Sequence, residues 1–282
     1  MPHTIPLGDV TITIINVGDM MVDMGEELAV PETTWRPLYG ASFAGPRPFP
    51  SQCVYIALPN ASILVDAGDY ARAIALDPSY LPPAYVPPPG IVEQLQSQGT
   101  RPQDITHLII THAHFDHYDG TTIERDGTHV PRFPNARVYL GRADWDNPET
   151  QRDLLDPDSL ESSTFGVLHK LGLLELVEGD LQVAPEVRII PAPGESPGHQ
   201  LVRIHSQGQT LYCLGDLFHH PAEVEHPAWM VKWANAPANL SSRQALINAA
   251  LQENALLLAA HMPIGRIEGT PEHPRWVPLL SQ

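Results

Sequence analysis

Residues 111–117 read THAHFDH, and no other stretch constrains this chain as tightly. Fourteen histidines scatter along 282 residues and produce close pairs by chance, but four metal-binding side chains within six positions are a different matter. His112, His114, Asp116 and His117 follow directly on the apolar run ITHLII. In extended chain just past a strand, residues two apart point to the same side, so His112 and His114 can share one ion. Asp116 and His117 come after the chain turns and can serve a second ion beside it. Neither ion finds enough ligands in this segment alone. His199 in SPGHQ, Asp216 in LGDL and His261 in AAHMP each follow an apolar stretch or a turn and complete the set. Three imidazoles then hold the first ion, one carboxylate and two imidazoles the second, and Asp216 is well suited to bridge the two with its pair of oxygens. Nitrogen and oxygen donors without thiolate suit zinc, with manganese, iron or cobalt as alternatives.

The apolar runs around these residues read as strands: VTITIINVG (10–18), QCVYIAL and SILVDAG as a hairpin about Pro59-Asn60-Ala61, ITHLIIT, ARVYLG, VRIIPAP, LVRIHS, TLYCLGD and LLLAAHMP. SQGQ forms a hairpin turn between LVRIHS and TLYCLGD. GIVEQLQSQG has helical spacing and ends at Gly99, while SSRQALINAALQENA opens on serine caps and is the clearest helix of the second half. Strands interleaved with helices indicate an α/β protein. Repeatedly, a metal-binding residue stands at the C-terminal end of an apolar strand, where a rigid scaffold presents functional groups. Thirty prolines concentrate in PRPFP (46–50) and LPPAYVPPPG (81–90), which read as rigid surface loops. Nothing divides the chain convincingly, so 1–282 is expected to be a single domain.

Net charge is −17, from 33 acidic and 16 basic residues, which is wrong for nucleic acid, whose binding needs clustered Lys and Arg. No apolar stretch is long enough to span a membrane, and the N-terminus lacks the basic start and apolar block of a secretory leader. The cytoplasm is therefore the expected location. Cys53 and Cys213 lie in apolar runs and read as buried, reduced thiols.

Asp66 in LVDAG, HAHFDH, His199, Asp216 and His261, in this order, resemble the motifs of the metallo-β-lactamase-fold superfamily. The resemblance spans most of the chain and misses no ligand position. It implies a four-layer αββα sandwich of two similar halves with a two-metal site at the shared edge of the sheets. It also implies that His112, His114 and His199 hold one metal, that Asp116, His117 and His261 hold the other with Asp216 bridging, and that Asp66 stands behind the ligands, accepting an N–H from a metal-bound imidazole. Two adjacent divalent ions lower the pKa of a shared water toward roughly 7 and supply hydroxide at neutral pH.

Several branches of that superfamily fit poorly. True β-lactamases generally lack a carboxylate at the place of Asp216, and the nucleic-acid-processing branch carries a large insert between the last two motifs. Flavodiiron proteins place Glu within the HxHxDH motif, and glyoxalase II-type enzymes add a basic helical domain where only a short stretch follows His261. RFPNARVYLGRADW, GDLFHHPAEVEHPAW and AHMPIGRIEG look most like lactonases, esterases and methyl parathion hydrolases. Many homoserine lactonases carry a tyrosine three residues after the bridging Asp, whereas this chain has His219. His219 is accordingly expected to face substrate and join Asp116 and Asp216 in catalysis, while His220 and His226 read as capping or surface residues. Phe218, Trp229, Met230 and Trp233 are candidates for the pocket wall, or for packing the C-terminal helix on the sheet. The early segment 18–35, rich in methionine, is long for a loop and suits a pliable apolar mouth. The expected activity is binuclear metal-dependent hydrolysis of a neutral small-molecule ester, a lactone or carboxylic ester first. A phosphotriesterase, or a non-hydrolytic redox or sensor protein that kept the metal site, are the alternatives. No nucleic-acid or membrane partner is expected, and a homodimer stays open.

Overall fold

Strict alternation of apolar side chains along short strands determines how this chain stacks. A computed structural model describes residues 2–40 and 43–279. The strands are β1 (His3–Leu7), β2 (Val10–Val22), β3 (Arg47–Ala57), β4 (Ser62–Val65) and β5 (His107–Ile109), then a separate hairpin of β6 (Thr122–Arg125) and β7 (Thr128–Pro131). With β8 (Arg137–Gly141) and β9 (Leu174–Val177), the first sheet runs β1-β2-β3-β4-β5-β8-β9. The second runs in chain order through β10 (Leu181–Ala184), β11 (Val187–Pro191), β12 (Gln200–Ser206), β13 (Gln209–Cys213), β14 (Leu256–Leu258), β15 (Gly265–Thr270) and β16 (His273–Pro278).

Each strand turns alternate residues inward. Ile12, Ile14, Val54, Ile56, Ile63, Val65 and Ile109 of the first sheet meet Val187, Ile189, Val202, Ile204, Leu211, Cys213 and Leu258 of the second in one shared core. The intervening residues face out. Cys53, Tyr55, Leu64, Leu108 and Leu140 pack beneath the helix Ile91–Ser97 and against Phe165 and Leu168. Leu201, Tyr212, Leu214 and Leu257 pack beneath Leu246, Ile247 and Ala250 of the helix Ala236–Glu253. The result is four layers, helix–sheet–sheet–helix, as expected. Both cysteines are buried and free, and burial pushes the Cys53 thiol up to about 12. No helix among the described residues is long and apolar enough to cross a membrane.

Most neighbouring strands are antiparallel, but β4-β5-β8-β9 and β13-β14 run parallel. Asp66 leaves β4, Thr111 and His112 follow β5, Asp216 follows β13 and His261 follows β14. The C-terminal ends of parallel strands from both sheets thus open on one edge, which is where side chains converge in such sheets.

Three local readings are corrected. PRPFP is not a loop: Arg47–Ala57 is one strand, with Pro48 and Pro50 in register with Met21 and Asp19 of β2. β4 pairs only with Val54–Ala57, so the proline end of β3 is an edge, where a missing N–H costs little. The second-half helix begins at Ala236, earlier than its serines, and Asn235 caps it by accepting the Ala238 N–H at 3.2 Å. Ser242 instead donates to the Pro193 carbonyl at 2.7 Å. Segment 18–35 is largely ordered structure: β2 continues to Val22, followed by the helices Met24–Glu27 and Glu32–Tyr39. LPPAYVPPPG, by contrast, lies outside helix and strand.

Fully buried Arg243 ties the C-terminal helix to the segment after Asp216. Its guanidinium donates to the Leu217 carbonyl at 2.8 Å, to Glu223 Oε1 at 2.7 Å and to the Trp229 carbonyl. Arg243→Met would leave the buried Glu223 carboxylate without its counter-charge, an arrangement that typically costs about 3–5 kcal/mol. Urea unfolding is expected to show a loss of that size, and a change below about 1 kcal/mol would mean the pair contributes little.

Candidate metal centre

The tight turn after β4 sets the first support. Asp66 has a left-handed backbone (φ 58°), a conformation unusual outside glycine. Its Oδ1 accepts the Thr111 N–H at 2.7 Å, and its Oδ2 accepts from Thr111 Oγ1 and His117 Nδ1, each at 2.9 Å. The ring of His117 is therefore protonated at Nδ1, and its Nε2 faces Asp216 Oδ1 at 3.3 Å and Asp116 Oδ2 at 3.6 Å. His261 is oriented in the same way by main chain. Its Nδ1 donates to the Pro50 carbonyl at 2.7 Å, so Nε2 faces Asp216 Oδ1 at 3.1 Å and Asp116 Oδ2 at 3.5 Å. Phe49 stacks on the His261 ring at 4.1 Å.

Extended backbone at His114 brings its ring to 4.6 Å from that of His112, as residue spacing implies. The chain then turns into Phe115–Tyr118, which carries Asp116 and His117 to the other side. Two groups of ligand atoms result, each within 4.8 Å: His112, His114, Glu195 and Asp216 in one, and Asp116, His117 and His261 in the other. His112 Nε2, His117 Nε2, Asp216 Oδ1 and Glu195 Oε2 are all buried without a hydrogen-bond partner. Buried polar atoms rarely stay unpaired, and orphaned lone pairs converging from imidazoles and carboxylates fit divalent cations.

Electrostatics agree with a site built for cations. Burial, with the crowding imidazoles of His117 and His114, pushes His112 well below the usual histidine range and keeps it neutral. Burial disfavours a charged Asp216, but His261 and His117 more than offset it and hold the carboxyl well below its usual value. Among the described residues, neither lysine nor arginine lines the cleft over the two groups.

His199 differs from its expected place. It lies beside the first group, 5.2 Å ring to ring from His112, but its Nε2 accepts the Asp216 backbone N–H at 3.2 Å and its Nδ1 donates to the Ala192 carbonyl at 3.1 Å. Glu195 occupies the space instead. The signal for it was in the sequence: PGESPGH sets a carboxylate four residues before His199, on the same loop.

His219 lines the cleft and is buried. Its Nε2 faces Asp216 Oδ2 at 3.4 Å and its Nδ1 faces Glu223 Oε2 at 3.5 Å. Burial opposes its charge, but Glu223 and Asp216 carry its pKa up to about 10. Glu223 in turn is held down to about 2, against its burial, by Arg243 and His219. Neither Glu223 nor Arg243 stood out in the sequence, because their pairing spans twenty residues and depends on the tertiary fold. His220 caps the helix Pro221–Glu225, accepting the Ala222 N–H at 3.1 Å, and His226 stacks on Trp229 at 4.2 Å.

The cleft holds about 610 Å3. Met20, Met21 and Met24 line it, together with Phe49, Tyr80, Phe115, Val231 and Trp233, and Asp23, Glu26, Glu27 and Asp77 add carboxylates. Of the four candidates for pocket wall or helix packing, Trp233 lines the cleft and Phe218 takes the packing alternative. Phe218 is fully buried under the Arg243 guanidinium in the core beneath the C-terminal helix. Trp229 packs on Tyr39 and His226, and buried Met230 lies outside the lining. Phe49 and Tyr80 escaped notice because both lie at proline-rich segments.

The family model for the Metallo-beta-lactamase superfamily matches residues 46–261. The chain belongs to that superfamily. Among curated proteins it is 25% identical over 173 residues to an N-acyl homoserine lactonase of Bacillus cereus, covering 58% of this chain and 62% of that one. A Bacillus sp. N-acyl homoserine lactonase is 27% identical over 117 residues, covering 42% of this chain and 40% of that one. The chain thus matches about three fifths or less of the length of these relatives. Among solved structures, hydrolase AbOPH of the beta lactamase superfamily superposes with a TM-score of 0.80 at 18% identity, covering 100% and 98% of the two chains. AidC, described as a dizinc quorum-quenching lactonase, gives 0.78 at 18% identity with the same coverage. These structures share the metallo-β-lactamase fold of this chain.

Elemental analysis after loading with zinc, manganese or cobalt is expected to give close to two ions per chain, and one or none would rule out a binuclear centre. Asp66→Asn, which weakens the support behind His117, is expected to lower the affinity for one ion by about 10–100-fold and leave the other nearly unchanged. Equal loss of both ions would mean that Asp66 acts on the fold and not on one imidazole.

Proposed function

We propose that this protein is a binuclear metal-dependent hydrolase of a neutral, fairly apolar small-molecule ester, with lactones and carboxylic esters as its first substrates. The observation that carries this reading is the juxtaposition of two convergent ligand groups with a methionine- and aromatic-lined cleft free of lysine and arginine among the described residues. In this reading His112, His114, Asp116, His117, Asp216 and His261 would hold the two ions, with Asp216 close to both groups and His199 beside the first. Two divalent ions held there, zinc by donor chemistry, would supply hydroxide at neutral pH and polarise the substrate carbonyl.

The chain's own residues then determine selectivity and assist the bond-breaking step. Apart from the metal centre and His219, a cleft with no Lys or Arg among the described residues offers no further positive charge to a phosphate monoester, a phosphodiester or a carboxylate-bearing β-lactam. Methionines at its mouth adapt to acyl chains of varied shape. His219 sets Nδ1 toward Glu223 and Nε2 toward Asp216 on the cleft side, where an N–H at Nε2 would be placed to donate to oxygen on which negative charge develops. The lactonase names of the curated relatives support the same reaction class, and neutral phosphotriesters meet the same steric and electrostatic demands.

The test is a panel of lactones, aryl carboxylic esters, phosphotriesters and β-lactams assayed with the metal-loaded protein. Turnover of a lactone or carboxylic ester is expected to exceed that of every β-lactam, and the reverse order would overturn the reading. Donors aimed at transition-state charge are worth about 3 kcal/mol, or roughly a hundredfold in rate. His219→Ala is accordingly expected to lower kcat for the best substrate by that order with both ions retained, and His219→Tyr to restore part of it. A change of less than about threefold in the alanine variant would remove His219 from catalysis.

A further inference from the structure

Glu195 is the feature that neither the motif pattern nor the proposed reaction uses. Its side chain is fully buried, with no lysine or arginine against it. Oε1 accepts from the Trp233 indole N–H at 2.7 Å and lies 3.0 Å from His114 Nδ1. Oε2 lies 3.2 Å from His112 Nε2 and has no hydrogen-bond partner. A buried carboxylate oxygen left unpaired beside an orphaned imidazole nitrogen is unfavourable for both, unless a cation lies between them.

The loop that carries Glu195 is fixed on two sides. The Gly194 carbonyl accepts the Asn235 N–H at 2.7 Å, and a side chain at Gly194 would collide with the Asn239 backbone at 2.2 Å. On the other side Asp144 accepts from Ser196 Oγ at 2.8 Å, from the Gly198 N–H at 2.6 Å and from the Ala113 N–H at 3.0 Å. Asp144 therefore ties the Glu195 loop to the very segment that carries His112 and His114. Meanwhile both ring nitrogens of His199 are engaged by main chain.

We propose that Glu195 is itself a metal ligand, binding through Oε2 the ion held by His112 and His114, while His199 braces the Asp216 peptide. Trp233 positions the carboxylate by holding Oε1. This rests on the metal reading of the site and goes beyond it, because it changes the chemistry of one ion. Two imidazoles and two carboxylates, with Asp216 shared, form a harder donor set than three imidazoles and one carboxylate, and favour manganese or iron(II) relative to zinc at that position.

The experiment titrates chelator-stripped protein with Co2+, followed by calorimetry and by visible absorption. The wild-type chain is expected to bind two ions. Glu195→Gln, whose amide oxygen keeps the Trp233 hydrogen bond, is expected to bind one ion normally and the other at least tenfold more weakly, with a changed visible spectrum. Its metal-free melting temperature is expected to stay near that of wild type, while the increase on adding Co2+ shrinks. A purely structural role for Glu195 would instead lower the metal-free melting temperature and leave the spectrum unchanged, which overturns the proposal. So would two wild-type affinities in Glu195→Gln, or a loss of affinity found only in His199→Ala. Should Glu195→Gln fail to fold, Glu195→Asp keeps the charge one methylene short, and wild-type affinity and spectrum in that variant count against direct ligation. Failure of the wild-type chain to bind Co2+ at all would overturn the metal centre itself, a result distinct from each of these.

Discussion

Burying acidic groups and imidazoles together, with little counter-charge near them, is the constraint on which the rest of this structure depends. Ionised groups removed from water are costly unless paired, and the cost rises as the surroundings become drier. Here the chain surrounds Asp216 with histidines and backs them with fixed acceptors: Asp66 behind His117 and the Pro50 carbonyl behind His261. Left-handed geometry at Asp66, a proline-bearing edge strand and two convergent sheets all serve that placement. Backbone strain of this kind, about 1–3 kcal/mol per residue, persists only where surrounding contacts over-determine it. Asp66 meets that condition through three hydrogen bonds to its own carboxylate.

A second layer of charge lies behind the first. Among the described residues Arg243 is the one fully buried guanidinium, and it reaches His219 through Glu223 rather than touching the ligand side chains. A change at Arg243 therefore reaches the cleft by altering His219, while the two ligand groups remain anchored by the strands. Helix packing and site electrostatics share one ion pair.

The fold was legible because alternation is a local signal. Val10, Ile12 and Ile14 on one face, and the apolar runs before Asp66, His112, Asp216 and His261, can be read one strand at a time. His112, Asp216 and His261 were legible as candidate ligands for the same reason, since each stands just past an apolar run, whereas Glu195, on a loop, was not. What escaped was non-local. The tautomer of His261 depends on a carbonyl more than two hundred residues away, and the charge of His219 on a carboxylate held by Arg243. Phe49 looked like part of a surface loop because proline suggests irregular chain, yet an edge strand accommodates it. Phe218 and Met230 suited either a pocket wall or helix packing by residue type, and type alone does not reveal which side of a segment faces in.

The carboxylates at the cleft, Asp23, Glu26, Glu27 and Asp77, bear on traffic as well as on selectivity. Opening a lactone or cleaving a carboxylic ester turns a neutral reactant into an anion. An entrance with fixed negative charge is indifferent to the reactant but repels the anion, over a range of about 8 Å at physiological ionic strength. In the proposed reaction, that field would lower the affinity of the cleft for its anionic product without changing that for an uncharged reactant, a difference that weakens as salt is added.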